Sequence, residues 1–333
     1  MKVACLGGGP AGLYFAISMK LRQPDSDITV FERNKADDTF GWGVVLSDDA
    51  LENLAVNDPK SAEAIRANFA YWDDIAVVHA GERTVSGGHG FAGIGRMKML
   101  LILQERAAEL GINLQYETVV GPVEDYKGHY DLVVACDGIN SQVRTEWAEH
   151  FKPDVDTRLC KFIWLGTHQK FDDAFTFIFE QTKHGWMWVH AYQFNEDTAT
   201  VIVECTQQTW DNWGFEAMSK EQIIATCEEV FADHLGSHRL MSNADHLRGS
   251  AVWMNFPRVL CEVWHHENVV LMGDAAATAH FSIGSGSRLA FDSAISLATL
   301  VDSEPTLAQA FERYQDERRL DVLRLQSAAR NSL

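Results

Sequence analysis

Three glycines, spaced Gly7-x-Gly9-x-x-Gly12, stand between a short apolar run (Val3 to Leu6) and a stretch with Leu13, Ile17 and Met19 at helical spacing. A strand, a glycine turn and a helix in that order bind dinucleotides, and each glycine has its own reason. Gly7 permits the tight turn, Gly9 lets backbone approach a pyrophosphate, and Gly12 lets the helix lie close on the strand. The helix N-terminus then offers free N–H groups and partial positive charge to phosphates. Twenty residues after Gly12, DITVFER reads as a second strand ending in Glu32, whose carboxylate can accept from a ribose 2′-OH. The bland alternative is a glycine-rich turn in some other α/β protein.

Two further carboxylates follow apolar runs. Asp131 to Cys136 ends in Asp137-Gly138, and Val269 to Met272 ends in Gly273-Asp274. Doubly wound sheets bind ligands at the carboxyl ends of parallel strands, although a bare Asp-Gly turn means little by itself. His280-Phe281-Ser282-Ile283-Gly284-Ser285-Gly286 is a flexible turn into a helix expected to start near Ser287. Such a helix start sets backbone N–H groups and a positive dipole against a developing anion. Arg96 opens a long amphipathic helix after the glycine-rich SGGHGFAGIGR segment, which carries His89. It suits a phosphate or ribose contact, or is an ordinary exposed arginine. Phe40 to Val45, including Trp42, is either a loop folded over a flat ring or a buried loop. Ser47 is expected to N-cap the next helix. His168, His184 and His190 lack the spacing of a metal site, and no metal is expected.

Residues 160–206 change character. CKFIWLGTHQKF, AFTFIFEQTKHGWMWVHAYQF and TATVIVECTQQTW are rich in aromatic and β-branched residues with polar turns between them. With no helix between them, they predict an antiparallel sheet whose aromatic side chains line an apolar pocket or simply fill a core. A strand pair is expected over RGSAVWMNF and RVLCEVWHH. The expected division is a Rossmann-like α/β domain over 1–158 and 262–333, interrupted by a sheet domain over 159–261.

The chain has 333 residues, enough for a large core, and its formal charge of −19 argues against nucleic acid or an anionic membrane as partner. A polyanionic ligand would need a local basic patch. No apolar run approaches membrane-spanning length. A core strand begins at residue 2, leaving no room for a leader peptide, and the six cysteines lack CxxC pairs. A cytoplasmic protein with reduced thiols is expected.

GGGPAG with its acid at Glu32, CDG at 136–138 and MGDAA at 272–276 together resemble the class A flavoprotein aromatic hydroxylases. TFGWGVVLSDDALENL, WDDIAV, SGGHGFAGIGR, FIWLGTH, HRLMSNADHLRGSA and HFSIGSG resemble most closely the flavin domain of the family's aryl-CoA branch, salicylyl-CoA 5-hydroxylase and 2-aminobenzoyl-CoA monooxygenase. The resemblance covers essentially the whole chain. It implies FAD, with NADH or NADPH and O2 as co-substrates, and hydroxylation of an activated ring through a C4a-hydroperoxyflavin. The ring would be an aryl-CoA thioester; the alternatives are a free indole or tryptophan-derived aromatic, or a flavin domain that only transfers electrons. Carried over, Gly7, Gly9, Pro10, Ala11, Gly12, Glu32 and Arg33 would hold the ADP half of FAD. Arg96, Asp137 and Gly138 would serve the pyrophosphate, and Gly273 and Asp274 the ribitol. Trp42 and the turn Ser282, Ile283, Gly284, Ser285 and Gly286 would face the flavin ring. His89, His190 or His280 would do proton work. Ala277 stands where many relatives carry histidine, so any role of that histidine near the flavin is lost or is supplied elsewhere, as by His280. Some relatives continue into a reductase-like domain, which the end of the chain at Leu333, inside a helical pattern, would suit.

Overall fold

A computed structural model describes residues 1–39, 41–171, 173–243 and 252–331. Phe40, Asp172, residues 244–251 and the last two residues, with the expectations placed on them, lie outside the described residues. The apolar runs form a six-stranded sheet. Lys2–Leu6 lies between Asp27–Phe31 and Leu132–Ala135, with Asn113–Gln115 and Val269–Leu271 outside them, all parallel. His265–His266 adds a short antiparallel edge. Val3 to Leu6 and Leu132–Ala135 are buried throughout, as parallel strands covered on both faces must be. The helix Pro10–Arg22 packs against Gly286–Ser303, with Tyr14 and Phe291 edge to face at 5.0 Å.

The expected antiparallel sheet is present but larger than its sequence signal. Pro153–Thr167, Ala199–Cys205, Gly185–Gln193 and Ala174–Thr182 run antiparallel in that order. Ala174–Thr182 then pairs in parallel with Asp74–His79, whose hairpin partner Glu82–Ser86 forms the far edge. On the other side Met254–Cys261 runs along Pro153–Thr167. The described part of the expected strand pair is therefore one strand through Pro257, and His265–His266 belongs to the other sheet. Pro257 is tolerated because the pairing is bulged beside it, between Thr157 and Lys161.

Alternation gives this sheet two faces. Ile163, Leu165, Val189, Val201 and Val203 pack under the helices Gln207–Trp213 and Lys220–Val230. The opposite face carries Phe162, Phe177, His190, Tyr192 and Glu204 and turns toward the first sheet. A small third sheet, Gly43–Ser47, Phe91–Gly95 and Ala70–Trp72, joins the two. Gly43 onward is thus strand rather than loop. Ser47 occupies the N-cap of the helix Asp48–Asn57 but accepts no bond from it, and its buried hydroxyl has no partner. Gly93 explains part of the glycine-rich segment, since a Cβ there would lie 2.3 Å from Gln193 O. Among the described residues no helix is long and apolar enough to cross a membrane, and all six cysteines are unpaired.

Candidate active site

The first turn separates its glycines into two kinds. Gly7 has φ +124°, and a Cβ there would stand 2.2 Å from Cys136 O. At Gly12 a Cβ would meet Gly7 O at 2.1 Å. Both are glycine because the strands and helix are packed against them. A Cβ on Gly9 would meet nothing within 4 Å, so that position faces open ground above the start of the helix at Pro10 and Ala11. Glu32 follows its strand directly and braces the turn, its carboxylate accepting from Gly8 N at 2.8 Å and Asn34 N at 2.8 Å. Arg33 is exposed beside it.

Asp137 caps the short helix Gln142–Glu146, with Oδ2 accepting from Gln142 N at 2.7 Å and Val143 N at 3.3 Å. Its other oxygen, Oδ1, is buried without a partner, and a Cβ on Gly138 would meet nothing. Arg144, whose role the sequence left undeveloped, ties two ligand-facing loops together. It donates to Ile139 O at 2.6 Å and to Ala275 O at 3.0 Å. An arginine six residues after an Asp-Gly turn was the available signal.

Arg96 starts the helix Arg96–Glu109 and donates from Nε to Thr39 Oγ1 at 3.2 Å. Enclosure lowers its pKa, while Asp274 and Tyr192 oppose that shift. Asp274 opens onto the same cleft next to Gly273. Enclosure pushes its carboxyl up, against the guanidinium charges of Arg96 and Arg144. The turn Phe281–Ile283 is a single 3₁₀ turn ending at Gly284, which has φ +62°. The following helix begins at Gly286, one residue before the expected start, and its first internal bond is Leu289 N to Ser285 O at 2.9 Å. The amides of that first turn therefore have no acceptor within the helix. Ser285 Oγ is buried without a partner, and nothing lies within 4 Å of a Cβ placed on Gly286. Open ground at Gly9, Gly138 and Gly286, with orphaned oxygens at Asp137 and Ser285, fits a long polar ligand laid along the carboxyl ends of the strands.

Past that turn lies an aromatic cluster. Phe281 stands 4.6 Å from Phe162, 4.2 Å from His280 and 6.0 Å from His190, ring centre to ring centre. Phe177 approaches His190 at 4.9 Å. His190 Nε2 faces Glu204 Oε1 at 2.5 Å without an aligned hydrogen bond, and both residues are buried. Glu204 escaped the sequence reading, although it is a lone acid at an inward position of the apolar strand ATVIVEC. His280 Nδ1 accepts from Ser282 N at 3.3 Å. Burial pushes its pKa down to about 4, with Glu204 opposing and His190 and Arg158 assisting. Two candidates lie elsewhere. His89 is exposed on the loop between Glu82–Ser86 and Phe91–Gly95, 2.9 Å from Ser86 Oγ. The Trp42 ring lies on Gly166, where a Cβ would come within 2.7 Å of it.

The FAD binding domain family matches residues 118–326. The chain belongs to that family, and within it to the class A flavin aromatic hydroxylases. It is 40% identical, over its full length, to salicyloyl-CoA 5-hydroxylase of a Streptomyces species, of which it spans 65%. It is 32% identical to 3-hydroxy-4-methyl-anthranilyl-[aryl-carrier protein] 5-monooxygenase of Streptosporangium sibiricum, again over its full length and over 88% of that protein. Its fold matches a tetrameric 2-methyl-3-hydroxypyridine-5-carboxylic acid oxygenase with a TM-score of 0.81 at 17% identity, covering 98% of this chain and 89% of the other.

Proposed function

We propose that this chain hydroxylates an activated aromatic ring carried as an aryl-CoA thioester, such as salicylyl-CoA or 2-aminobenzoyl-CoA, with NADH or NADPH and O2 as co-substrates. The observation that carries the reading is the aromatic cluster of Phe281, Phe162 and Phe177 packed around the buried pair His190 and Glu204. It lies beside the helix start at Gly286 that suits a flavin ring. When bound, FAD supplies the electron transfer and oxygen activation. The chain's own residues then have three tasks. Gly7, Gly9, Gly12, Glu32 and Arg33 hold the ADP half of the cofactor, and Arg96, Asp137 and Asp274 hold its middle. The first-turn amides at Gly286 favour negative charge at the ring's edge. Phe162, Phe177 and Phe281 orient the substrate ring and exclude water.

A phenolic proton leaves the substrate for the His190 nitrogen that does not face Glu204, and the Glu204 carboxylate favours the resulting imidazolium. His280, held neutral by burial, serves as a polar but uncharged wall. The division into 1–158 with 262–333 around 159–261 belongs to the proposal, with the hairpin 74–86 added to the inserted sheet. So does a cytoplasmic setting, which the unpaired cysteines support. The test is NADH oxidation by the FAD-loaded chain with salicylyl-CoA, 2-aminobenzoyl-CoA and the free acids in parallel, with product and peroxide measured. Stimulation by a CoA ester with matching product is the expected result. Stimulation by free aromatics alone would overturn the thioester reading, and peroxide without product would mean that the true substrate is absent from the set or that a partner domain is missing.

A further inference from the structure

The inserted sheet ends on one side in a strand with nothing beyond it. Glu82–Ser86 pairs with Asp74–His79 and, among the described residues, with no other strand. All five of its residues are exposed, Val85 at 45%. Edges of this kind are commonly blunted by proline or a bulge. Here the pairs from Ile75↔Ser86 to His79↔Glu82 run without a shift, and the strand holds no proline. The turn joining the two strands fixes which backbone groups point outward. Ala80 and Gly81 have φ +52° and +77°, as in the two-residue hairpin turn that matches strand twist. The residues flanking such a turn, His79 and Glu82, exchange both hydrogen bonds, and the ladder alternates from there. Thr84 and Ser86 therefore bond inward, as Glu82 does. Arg83 and Val85 turn their N–H and C=O groups out, four groups along an open edge.

We propose that this edge pairs with the same strand of a second copy of the chain, antiparallel about a twofold axis at Thr84. The register follows from the strand's own chemistry. With Thr84 opposite Thr84, Arg83 of each copy faces Val85 of the other, and each such pair exchanges two hydrogen bonds. All four outward groups of both copies are then satisfied. Shifted one way, the pairing opposes Arg83 to Arg83; shifted the other way, it opposes Arg83 to Gly87, past the end of the strand. Like charges directly opposite are destabilising, whereas a Thr–Thr pair is favourable. In the matched register the stem of Arg83 lies over Val85 of the other copy, while its guanidinium keeps its pairing with Asp173. Val77, cross-strand from both Thr84 and Phe177, is 37% exposed and loses water on the same face. The join makes one continuous sheet and holds the hairpin beside Phe177 from both sides. Two copies of formal charge −19 repel each other, so salt strengthens the association.

The test is sedimentation equilibrium of the FAD-loaded full chain over a range of concentrations. A reversible dimer is expected, tighter in high salt than in low. Val85→Pro removes an outward N–H that bonds nothing within one copy, so the melting temperature of the monomer should hold. Dimerisation should weaken by roughly tenfold or more, since the twofold axis doubles the lost hydrogen bond. Thr84→Cys should give a disulfide-linked dimer on mild oxidation, because non-hydrogen-bonded opposite residues stand about 4.5 Å apart at Cα. Arg83→Cys, which faces Val85 rather than itself, should not. Leu159→Lys, exposed at the other end of the sheet, should leave the dimer unchanged. A monomer at every concentration overturns the proposal, and so does a dimer that salt weakens. A dimer that survives Val85→Pro and does not cross-link through Thr84→Cys would place the contact on another surface and overturn it equally.

Discussion

Around residues 7–12 the surface offered to a ligand is main chain: a turn forced by Gly7, open ground at Gly9 and the amides at the head of Pro10–Arg22. Around Phe281 the surface is almost all side chain, delivered by strands far apart in sequence, with His190 from one strand and Glu204 from its neighbour. The first region offers mostly backbone, so local geometry suffices to make a binding surface there. The second offers side chains from separate strands, so its chemistry lies in individual residues. Breaking the two regions should therefore give different phenotypes.

The largest effect is expected at Gly7→Ala. The new Cβ would meet Cys136 O at 2.2 Å in a backbone conformation with φ +124°. Neither strand can withdraw, because both are central to the parallel sheet. A loss of about 3 kcal/mol or more is expected, read as a collapse of soluble yield or of the melting temperature. A variant that melts like the wild type would show that the turn is far more pliable than its packing indicates.

This division also sets what could be read from sequence. The turn at Gly7, the acid at Glu32 and the loops at Asp137 and Asp274 were legible because local spacing alone fixes strand, turn and helix. The sheet of 160–206 was legible from alternation, but its extension by 74–86 was not, since parallel pairing over so long a separation leaves no local pattern. Glu204 was visible as a lone acid in an apolar strand, yet only the register with Gly185–Gln193 brings it to His190. His89 and Ser47 matched favourable residue types, and their placement on an exposed loop between two sheets and in an unused cap position depends on tertiary structure. Asp137 is caught between two roles, one oxygen capping a helix and one left for a ligand.

In the second region the pH dependence of stability offers the next test. His280 has a folded-state pKa of about 4, against an ordinary value of 6.5. The unfolded chain thus binds the extra proton between those values, so stability rises with pH across that window. The contribution is complete above pH 6.5 and is lost as the pH falls toward 4. At 1.36 kcal/mol per unit it amounts to about 3 kcal/mol at most. Urea midpoints at pH 4.5 and 7 should differ less in His280→Gln than in the wild type. An unchanged difference would mean that His280 is not held neutral by its surroundings.

Asp274 lies where the two regions meet, facing the cleft and coupled to Arg96 and Arg144. Asp274→Ala removes an acceptor for the cofactor's hydroxyls without opening the core. FAD affinity should fall by about tenfold, the scale of one hydrogen bond to a charged group, with little change in the apoprotein's melting temperature. Full FAD occupancy in the purified variant would remove Asp274 from the cofactor's contacts.

The smallest effect on stability, and the sharpest use of the contrast, belongs to Gly9→Ala. No atom lies within 4 Å of the added Cβ, so the fold should change by less than about 0.5 kcal/mol. The methyl group nevertheless stands where backbone must approach the pyrophosphate, so FAD binding should weaken while melting of the apoprotein does not move. Two glycines three residues apart would then fail in opposite ways: Gly12→Ala, with its Cβ 2.1 Å from Gly7 O, through the fold, and Gly9→Ala through the ligand alone. If Gly9→Ala binds FAD as the wild type does, the pyrophosphate does not cross this turn, and the cofactor placement drawn from Gly9, Gly138 and Gly286 fails at its first point.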